Sequence, residues 1–369
     1  MSDPTPARGR HPEATPTATA ATAAAADTAP PHTARKPHRL ARAFSVICWL
    51  YLITVLLAWL TLRLTGDRWW AATLLLFGPR WLCALPLLLL IPAALVFRRR
   101  SLAPLLCAAA VVAFGMMDLC LPWRPLFHRA AAPNDVRLRL LTCNVHRGQL
   151  RPGLLGELIA KEHPDVVALQ EWSSAHEWQV FAGDPQWHVL RDDELYIASR
   201  YPILRVQNIA KDKWTGPGSA VCYEIDTPAG PVPFVNLHLA SPHMAFEDAI
   251  DRENGAGDRV QANSDTRLQQ LRDLNQAAQA FGPSVLLAGD FNTPTDSAVY
   301  RQTITSLDDA FAQAGAGFGW TYYAHFTAAR IDHLLSGQNW RCQRAWVGPN
   351  CGSPHRPLMA DYVSIHHGG

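Results

Sequence analysis

The chain has 369 residues, 49% of them apolar and 17% charged, and a formal net charge of +2. That charge is unevenly placed: residues 1–135 hold 14 Lys/Arg against 6 Asp/Glu, and the remainder holds 19 against 25. The C-terminal part is therefore mildly acidic and has no basic run, which weighs against duplex nucleic acid as its partner, because such binding draws on Lys and Arg at the phosphates.

Residues 1–34 are mostly Ala, Thr and Pro with almost no large apolar side chains. Such a stretch buries too little surface to offset its ordering entropy, so residues 1–42 are expected to be a disordered cytoplasmic segment ending in the basic cluster Arg35, Lys36, Arg39 and Arg42. Residues 43–123 then read as a three-helix membrane anchor. Residues 44–64 carry no charge before Arg63, residues 81–97 stop at Arg98, Arg99 and Arg100, and residues 102–121 hold only Asp118, placed near one end to reach the interface. About 20 apolar residues suffice to cross the hydrocarbon core as a helix. A cleavable signal has one short apolar core, so three spans predict an anchor that persists.

The excess of Lys and Arg before the first span and at residues 98–100 puts those segments in the cytoplasm. The opposite loop holds Arg63, Arg68 and Arg80. An odd number of spans then places the rest of a multi-pass cell-membrane protein outside the cytoplasm, and a re-entrant second span would reverse that. Cys48, Cys83, Cys107 and Cys120 fall in the spans as small apolar fillers. Cys342 and Cys351 flank a loop containing Trp, Pro and Gly, and two readings stand equal, a disulfide outside the cytoplasm or two free thiols.

Residues 124–135 read as a linker, and 136–366 as the catalytic domain. Strands are expected at 137–143, 165–170, 195–199, 220–225, 232–238 and 284–288, from alternating or continuous apolar runs. Helices are expected at 152–161 and 266–281, the latter with Leu268, Leu271, Leu274, Ala278 and Phe281 on one face. Strands mixed with helices in a domain of this size predict an α+β fold with helix-covered sheets.

Several strands break off into polar residues of one kind. Asn144 ends Leu-Leu-Thr-Cys-Asn, Glu171 ends Val-Val-Ala-Leu-Gln-Glu, and His238 lies in Asn-Leu-His-Leu. Asp290 and Asn292 stand in Gly-Asp-Phe-Asn, Asp332 in Arg-Ile-Asp-His, and His355 in Ser-Pro-His-Arg-Pro. Singly, each is more often a turn former, a helix cap or a structural histidine. Mg²⁺ takes oxygen ligands, usually only one or two carboxylates, and keeps several waters, and Glu171 with the Asp290/Asn292 pair meets that specification.

In this order the motifs, with Ser199-Arg200-Tyr201-Pro202, resemble the endonuclease/exonuclease/phosphatase superfamily over residues 138–363. The resemblance implies a DNase I-like four-layer α/β sandwich and hydrolysis of phosphate ester bonds with Mg²⁺, Mn²⁺ being the alternative ion. It assigns the metal to Glu171 assisted by Asn144. Asp290 becomes the base toward water, with Asn292 positioning water and phosphate. His238 and His355 contact phosphate oxygens, and Asp332 holds His355 protonated. Pro354 departs from the usual Ser-Asp-His of the family, which weakens a two-metal mechanism and puts more of the base role on Asp290. The three spans with this domain further resemble the VanJ-type membrane proteins associated with glycopeptide resistance, which implies a lipid-linked phosphate ester or pyrophosphate at the outer membrane face.

Two alternatives stay open: an extracytoplasmic Mg²⁺-dependent nuclease, and a binding domain of the same fold weakened by Pro354. The polar stretch 243–265 is expected to rim the site, with Trp172, Trp178 and Trp214 as candidate contacts or, more simply, packing groups.

Overall fold

The computed structural model describes residues 36–123, 135–147, 151–173, 180, 181, 184–210, 213, 214, 216–243, 246, 255–324 and 326–365. Residues 1–35, most of the expected linker and Trp178 lie outside them. The first helix, α1 (Lys36–Thr65), begins within the basic cluster, so residues 36–42 are helical rather than disordered. After it come α2 (Trp70–Phe77), a 3₁₀ turn leading into α3 (Leu85–Phe97), and α4 (Leu102–Ala110), which a π-helical turn extends to Met116. Three stretches, Arg39–Thr65, Arg80–Phe97 and Arg99–Met116, are long and apolar enough to cross a membrane. Their outer faces leave Val46, Leu50, Leu57, Leu88, Leu89 and Val96 exposed.

The third stretch stops at Met116, five residues before the expected end. Asp118 has a positive φ of 53°, which breaks the helix, and it turns back to pair with Arg330. Cys120 then forms a β-bridge with Gly317 instead of filling a span.

The remainder holds two six-stranded sheets. In chain order the strands of the first are β1 (Arg137–Asn144), β2 (Val166–Gln170), β3 (His188–Asp192), β4 (Leu195–Ser199), β13 (Trp340–Val347) and β14 (Leu358–Ser364), arranged β13-β14-β1-β2-β4-β3. The second holds β5 (Ile203–Asn208), β6 (Ser219–Thr227), β7 (Gly230–His238), β8 (Leu286–Asp290), β9 (Asp308–Asp309) and β12 (Asp332–Ser336), arranged β5-β6-β7-β8-β12-β9. A small hairpin pairs β10 (Tyr322–Ala324) with β11 (Thr327–Ala329). Among the described residues four helices accompany the sheets: α5 (Pro152–Glu162), α6 (Ala256–Phe281), α7 (Ala298–Thr303) and α8 (Ala310–Ala314).

Each sheet contains one parallel pair, and a crossover helix links each pair: β1–α5–β2 and β7–α6–β8. Parallel strands need such a crossover, and it lays the helix on one sheet face. Leu155, Leu158 and Ile159 of α5 thus pack on Leu141, Cys143, Val167 and Leu169, and Leu271, Leu274 and Ala278 of α6 pack on Leu237 and Leu287. The other faces meet between the sheets through Leu140, Ala168 and Ile197 on one side and Phe234, Leu286 and Ala288 on the other. The result is helix, sheet, sheet, helix, a DNase I-like sandwich. Each fully buried Leu, Ile or Phe in it contributes about 1.5–3 kcal/mol of apolar transfer.

Cys342 lies in the core between the sheets and Cys351 in the core under α5, on opposite faces of the first sheet, so both are free thiols. Residues 256–265 belong to α6, which starts ten residues before the expected helix and shortens the expected rim loop. Trp172 is buried with its ring 4.6 Å from Tyr196, and Trp214 packs at the α6 core with its Nε1 donating to Asp273 (3.1 Å).

Candidate active site

Strand alternation builds the site. Along β1, β2, β7, β8 and β12 the side chains facing the opposite sheet are apolar in mid-strand and turn polar at one common edge. A first polar layer joins the sheets: Gln170 Nε2 donates to Thr142 Oγ1 (3.1 Å) and to Asn236 Oδ1 (2.8 Å), and Asn236 Nδ2 donates to the carbonyls of Leu169 and Tyr196. One step further along the strands stand the chemical groups. Register pairs Asn144 with Gln170 and His238 with Asp290, so the carboxyl ends of both parallel pairs open onto the same place. Carboxyl ends of parallel strands are where α/β sheets commonly bind ligands.

The approach of β7 to β8 depends on Gly289, where a Cβ would fall 1.9 Å from the Leu237 carbonyl oxygen. Glu171 and Asn292 both adopt left-handed backbone, φ 52° and 47°, which turns each chain sharply at its strand end. Such conformations cost non-glycine residues about 1–2 kcal/mol and cluster at functional sites.

The expected residues meet in one buried cluster. Asn144 Nδ2 donates to Glu171 Oε1 and to Asp290 Oδ2, each at 3.0 Å, while its Oδ1 accepts from the His146 amide (2.9 Å). Asp290 Oδ1 accepts from the Asn292 amide (2.8 Å), and Asn292 Nδ2 donates to the Leu239 carbonyl. The imidazoles flank Asp290 Oδ2, with His238 Nε2 at 3.8 Å and His355 Nε2 at 3.7 Å. Asp332 holds His355 Nδ1 at 2.9 Å, and Ser353 Oγ donates to the Asn144 carbonyl (2.7 Å), fixing the loop that carries Pro354.

Glu194 completes the cluster: its Oε1 lies 3.0 Å from His238 Nδ1. The sequence reading missed it, because Asp192-Asp193-Glu194 looks like an exposed hairpin turn. The signal lay in the pairing: Leu169 faces Tyr196 across antiparallel β2 and β4, so two register steps put Glu194 opposite Glu171. Arg147 at the rim lies 3.7 Å from Glu171 and 4.0 Å from Glu194.

Electrostatics follow from this crowding. Burial by itself lowers His238, but the Glu194 hydrogen bond and the charges of Asp290, Glu194 and Glu171 hold it at about 9. Burial likewise opposes the charge on His355, and the carboxylates of Asp332 and Asp290 raise it. Burial pushes Asp290 up, and Asp332 beside it adds to the shift against the pull of both imidazoles. The buried His238 Nε2 has no hydrogen-bond partner among the described residues and lies between Glu171 (3.9 Å) and Asp290. A protonated donor in that position fits an anionic oxygen.

The donor set also fits a hard divalent cation. Four carboxylates, Glu171, Glu194, Asp290 and Asp332, stand around the two imidazoles with Arg147 at the rim, and carboxylate oxygens grouped in this way are the donors a hard divalent cation takes. Asp290, Asp332 and His355 place ligand atoms within 4.8 Å of one another. Within that group Asp332 and His355 already bond to each other.

These features define a phosphoesterase site on a DNase I-like scaffold. The Endonuclease/Exonuclease/phosphatase family profile matches residues 141–355, more than half of the chain, and the chain belongs to this family. It is accordingly a hydrolase of phosphate ester bonds in a family that generally uses a divalent metal. Similar solved structures include humanized D. rerio TDP2 (17% identity, 61% of this chain and 98% of that one, TM-score 0.49). The human Nocturnin catalytic domain with bound sulfate shares 17% identity over 66% of this chain and 99% of that one, at TM-score 0.47. A Bacteroides thetaiotaomicron mannosyl-6-phosphatase shares 15% over 61% and 99%, at TM-score 0.46. No curated protein matches the chain.

Proposed function

We infer that the chain is a membrane-anchored, Mg²⁺-dependent phosphoesterase that cleaves a phosphate ester or pyrophosphate of a membrane-resident molecule, with its catalytic domain outside the cytoplasm. The observation that carries the chemistry is His238 Nε2, which has no hydrogen-bond partner among the described residues, beside Glu171 and Asp290. The three apolar stretches and their exposed Leu and Val side chains support the anchor, since apolar surface of that extent calls for lipid. The VanJ-type resemblance supports a lipid-linked substrate, and the acidic balance of the catalytic part weighs against the nuclease alternative.

Glu171, assisted by Asn144, would hold a divalent cation, which would supply charge neutralisation at the phosphate. The chain's own groups do the rest. Asp290 takes the proton of the attacking water, and its burial makes it a better base than an exposed carboxylate. Asn144 Nδ2 and the Asn292 amide fix its two oxygens. His238 and His355 donate from Nε2 to phosphate oxygens as negative charge develops there, and Glu194 and Asp332 hold the imidazoles protonated and oriented from the far side. Asn144 acts as a clamp between two carboxylates.

The test uses the full chain in detergent with Mg²⁺ and a panel of lipid pyrophosphates, lipid phosphodiesters, aryl phosphates and plasmid DNA. Metal-dependent phosphate release that Glu171→Gln and Asp290→Asn abolish, with folding intact, is expected. Full activity in excess chelator would refute the metal role, and cleavage of DNA alone would transfer the assignment to the nuclease.

A further inference from the structure

We propose that a cleft of about 810 Å³ between the β10 region and β13 binds the hydrocarbon part of the phosphate ester that this chain hydrolyses, with Arg356 and Arg344 facing its anionic head. The proposal deepens the reading of a membrane-anchored phosphoesterase and rests on it.

The cleft begins where the chain leaves the third apolar stretch. Cys120 and Gly317 exchange backbone hydrogen bonds of 2.9 Å, so Pro122 and Phe318, both lining the cleft, stand at the same end. From there a row of rings runs inward. Phe318 stacks on Trp320 with centroids 4.7 Å apart and planes 12° apart, and Trp320 meets Tyr323 at 6.4 Å. At the inner end the Arg356 guanidinium lies 4.3 Å over the Tyr323 ring. Arg356 directly follows His355 and Tyr322 directly precedes Tyr323, and the His355 ring lies 4.8 Å from Tyr322, so the cleft and the catalytic imidazole lie on the two faces of one short ladder.

The charge of the lining selects the ligand. Among the described residues it contains two arginines and no carboxylate, in a domain whose balance is acidic. Arg344 is exposed and lies 4.3 Å over Trp346 on the opposite wall. Aromatic walls with cationic ends suit an amphiphile carrying a negative head.

Near the cleft entrance Leu121 and Trp123 are more than half exposed, and Phe326 beyond the β10 strand is 78% exposed. The Phe326 carbonyl accepts from Trp81 Nε1 (2.9 Å) at the start of the second apolar stretch. Exposed Trp and Phe at the ends of apolar helices are the side chains that settle at a lipid–water interface. The entrance therefore opens at the level where a lipid phosphate resides, and a head held beside Arg356 stands one residue of the ladder from His355. Rings beside arginines also stack nucleobases, which the experiment separates.

The full chain is reconstituted in phosphatidylcholine vesicles and photolabelled with a diazirine-bearing dodecyl phosphate. Labelled peptides are mapped by mass spectrometry, and hydrolysis of dodecyl phosphate is compared with that of p-nitrophenyl phosphate. Label on residues 318–323 and 343–347 is expected, reduced at least fivefold in Trp320→Ala. The same variant is expected to raise KM for the long-chain ester at least tenfold and to leave kcat/KM for the aryl ester within twofold. Label confined to the apolar helices, protection by oligothymidylate in place of lipid, or equal losses on both esters would overturn the proposal. Absence of hydrolysis with every ester would count against the catalytic reading alone, because the labelling reports on the cleft without turnover.

Discussion

Replacing Asp67 by Asn tests whether the N-terminal helices and the catalytic sandwich form one folding unit. Asp67 follows α1, and its Oδ1 accepts from Nη2 of Arg267 on α6 at 2.9 Å, with both side chains 1% exposed. Arg267 also reaches Ser264 Oγ (3.3 Å), the Asn263 side chain and the Ala240 carbonyl (3.5 Å), two residues beyond His238. Asp67 has φ 61°, a conformation that Asn tolerates almost as well as Asp, so the substitution removes the charge and leaves the backbone alone. Breaking one side of a buried pair costs about 3–5 kcal/mol because a buried charge is left uncompensated, and the remaining amide contact puts Asp67→Asn near the lower end, about 3 kcal/mol. Arg267→Met is expected to cost a similar amount. The double variant is expected to recover most of the loss, giving a coupling of about 2 kcal/mol or more. Urea unfolding of the detergent-solubilised full chain, followed by tryptophan fluorescence, measures all three. A loss below about 1 kcal/mol in Asp67→Asn, or simple additivity in the double variant, would mean that the two parts are not docked through this pair.

Other outcomes follow from the site. Glu194→Gln removes the charged acceptor at His238 Nδ1 and brings that imidazole down from about 9. The folded value lies above the usual one, so the stabilisation is complete below about 6.5 and lost as pH rises through about 9; the alkaline limb of activity should therefore move to lower pH in the variant, and an unchanged pH–rate profile would contradict the assignment. Asp332→Asn should lower kcat by about 10²–10⁴ with little change in KM, since it disturbs proton placement on His355 more than ground-state binding, and steady-state kinetics on an aryl phosphate reads the split. Gly289→Ala should prevent folding or lower Tm severely, because its Cβ would meet the Leu237 carbonyl oxygen at 1.9 Å; a thermal melt within two degrees of wild type would show that β7 and β8 can separate freely.

Much of the fold is legible in the chain because its causes are local. Apolar runs long enough to cross a bilayer, and strands that break off into Asn144, Glu171, His238 and Asp290, are patterns of neighbouring residues, and a period of two already assigns their faces. The motif order pointed to a phosphoesterase for the same reason. Several features are decided only when distant segments meet. Glu194 becomes a partner of His238 through the antiparallel register of β2 and β4, with no mark in its own hairpin turn. The third apolar stretch ends at Met116 because Arg330, more than two hundred residues away, draws Asp118 out of the helix. Cys342 and Cys351 stay apart because a whole sheet lies between their cores. The aromatic cleft gains its second wall because a β-bridge brings Gly315 to Ala345, setting Trp346 across from Trp320 and Tyr323. Sequence periodicity fixes which face of an element is apolar; only packing between elements fixes which charged and aromatic groups end within reach of one another.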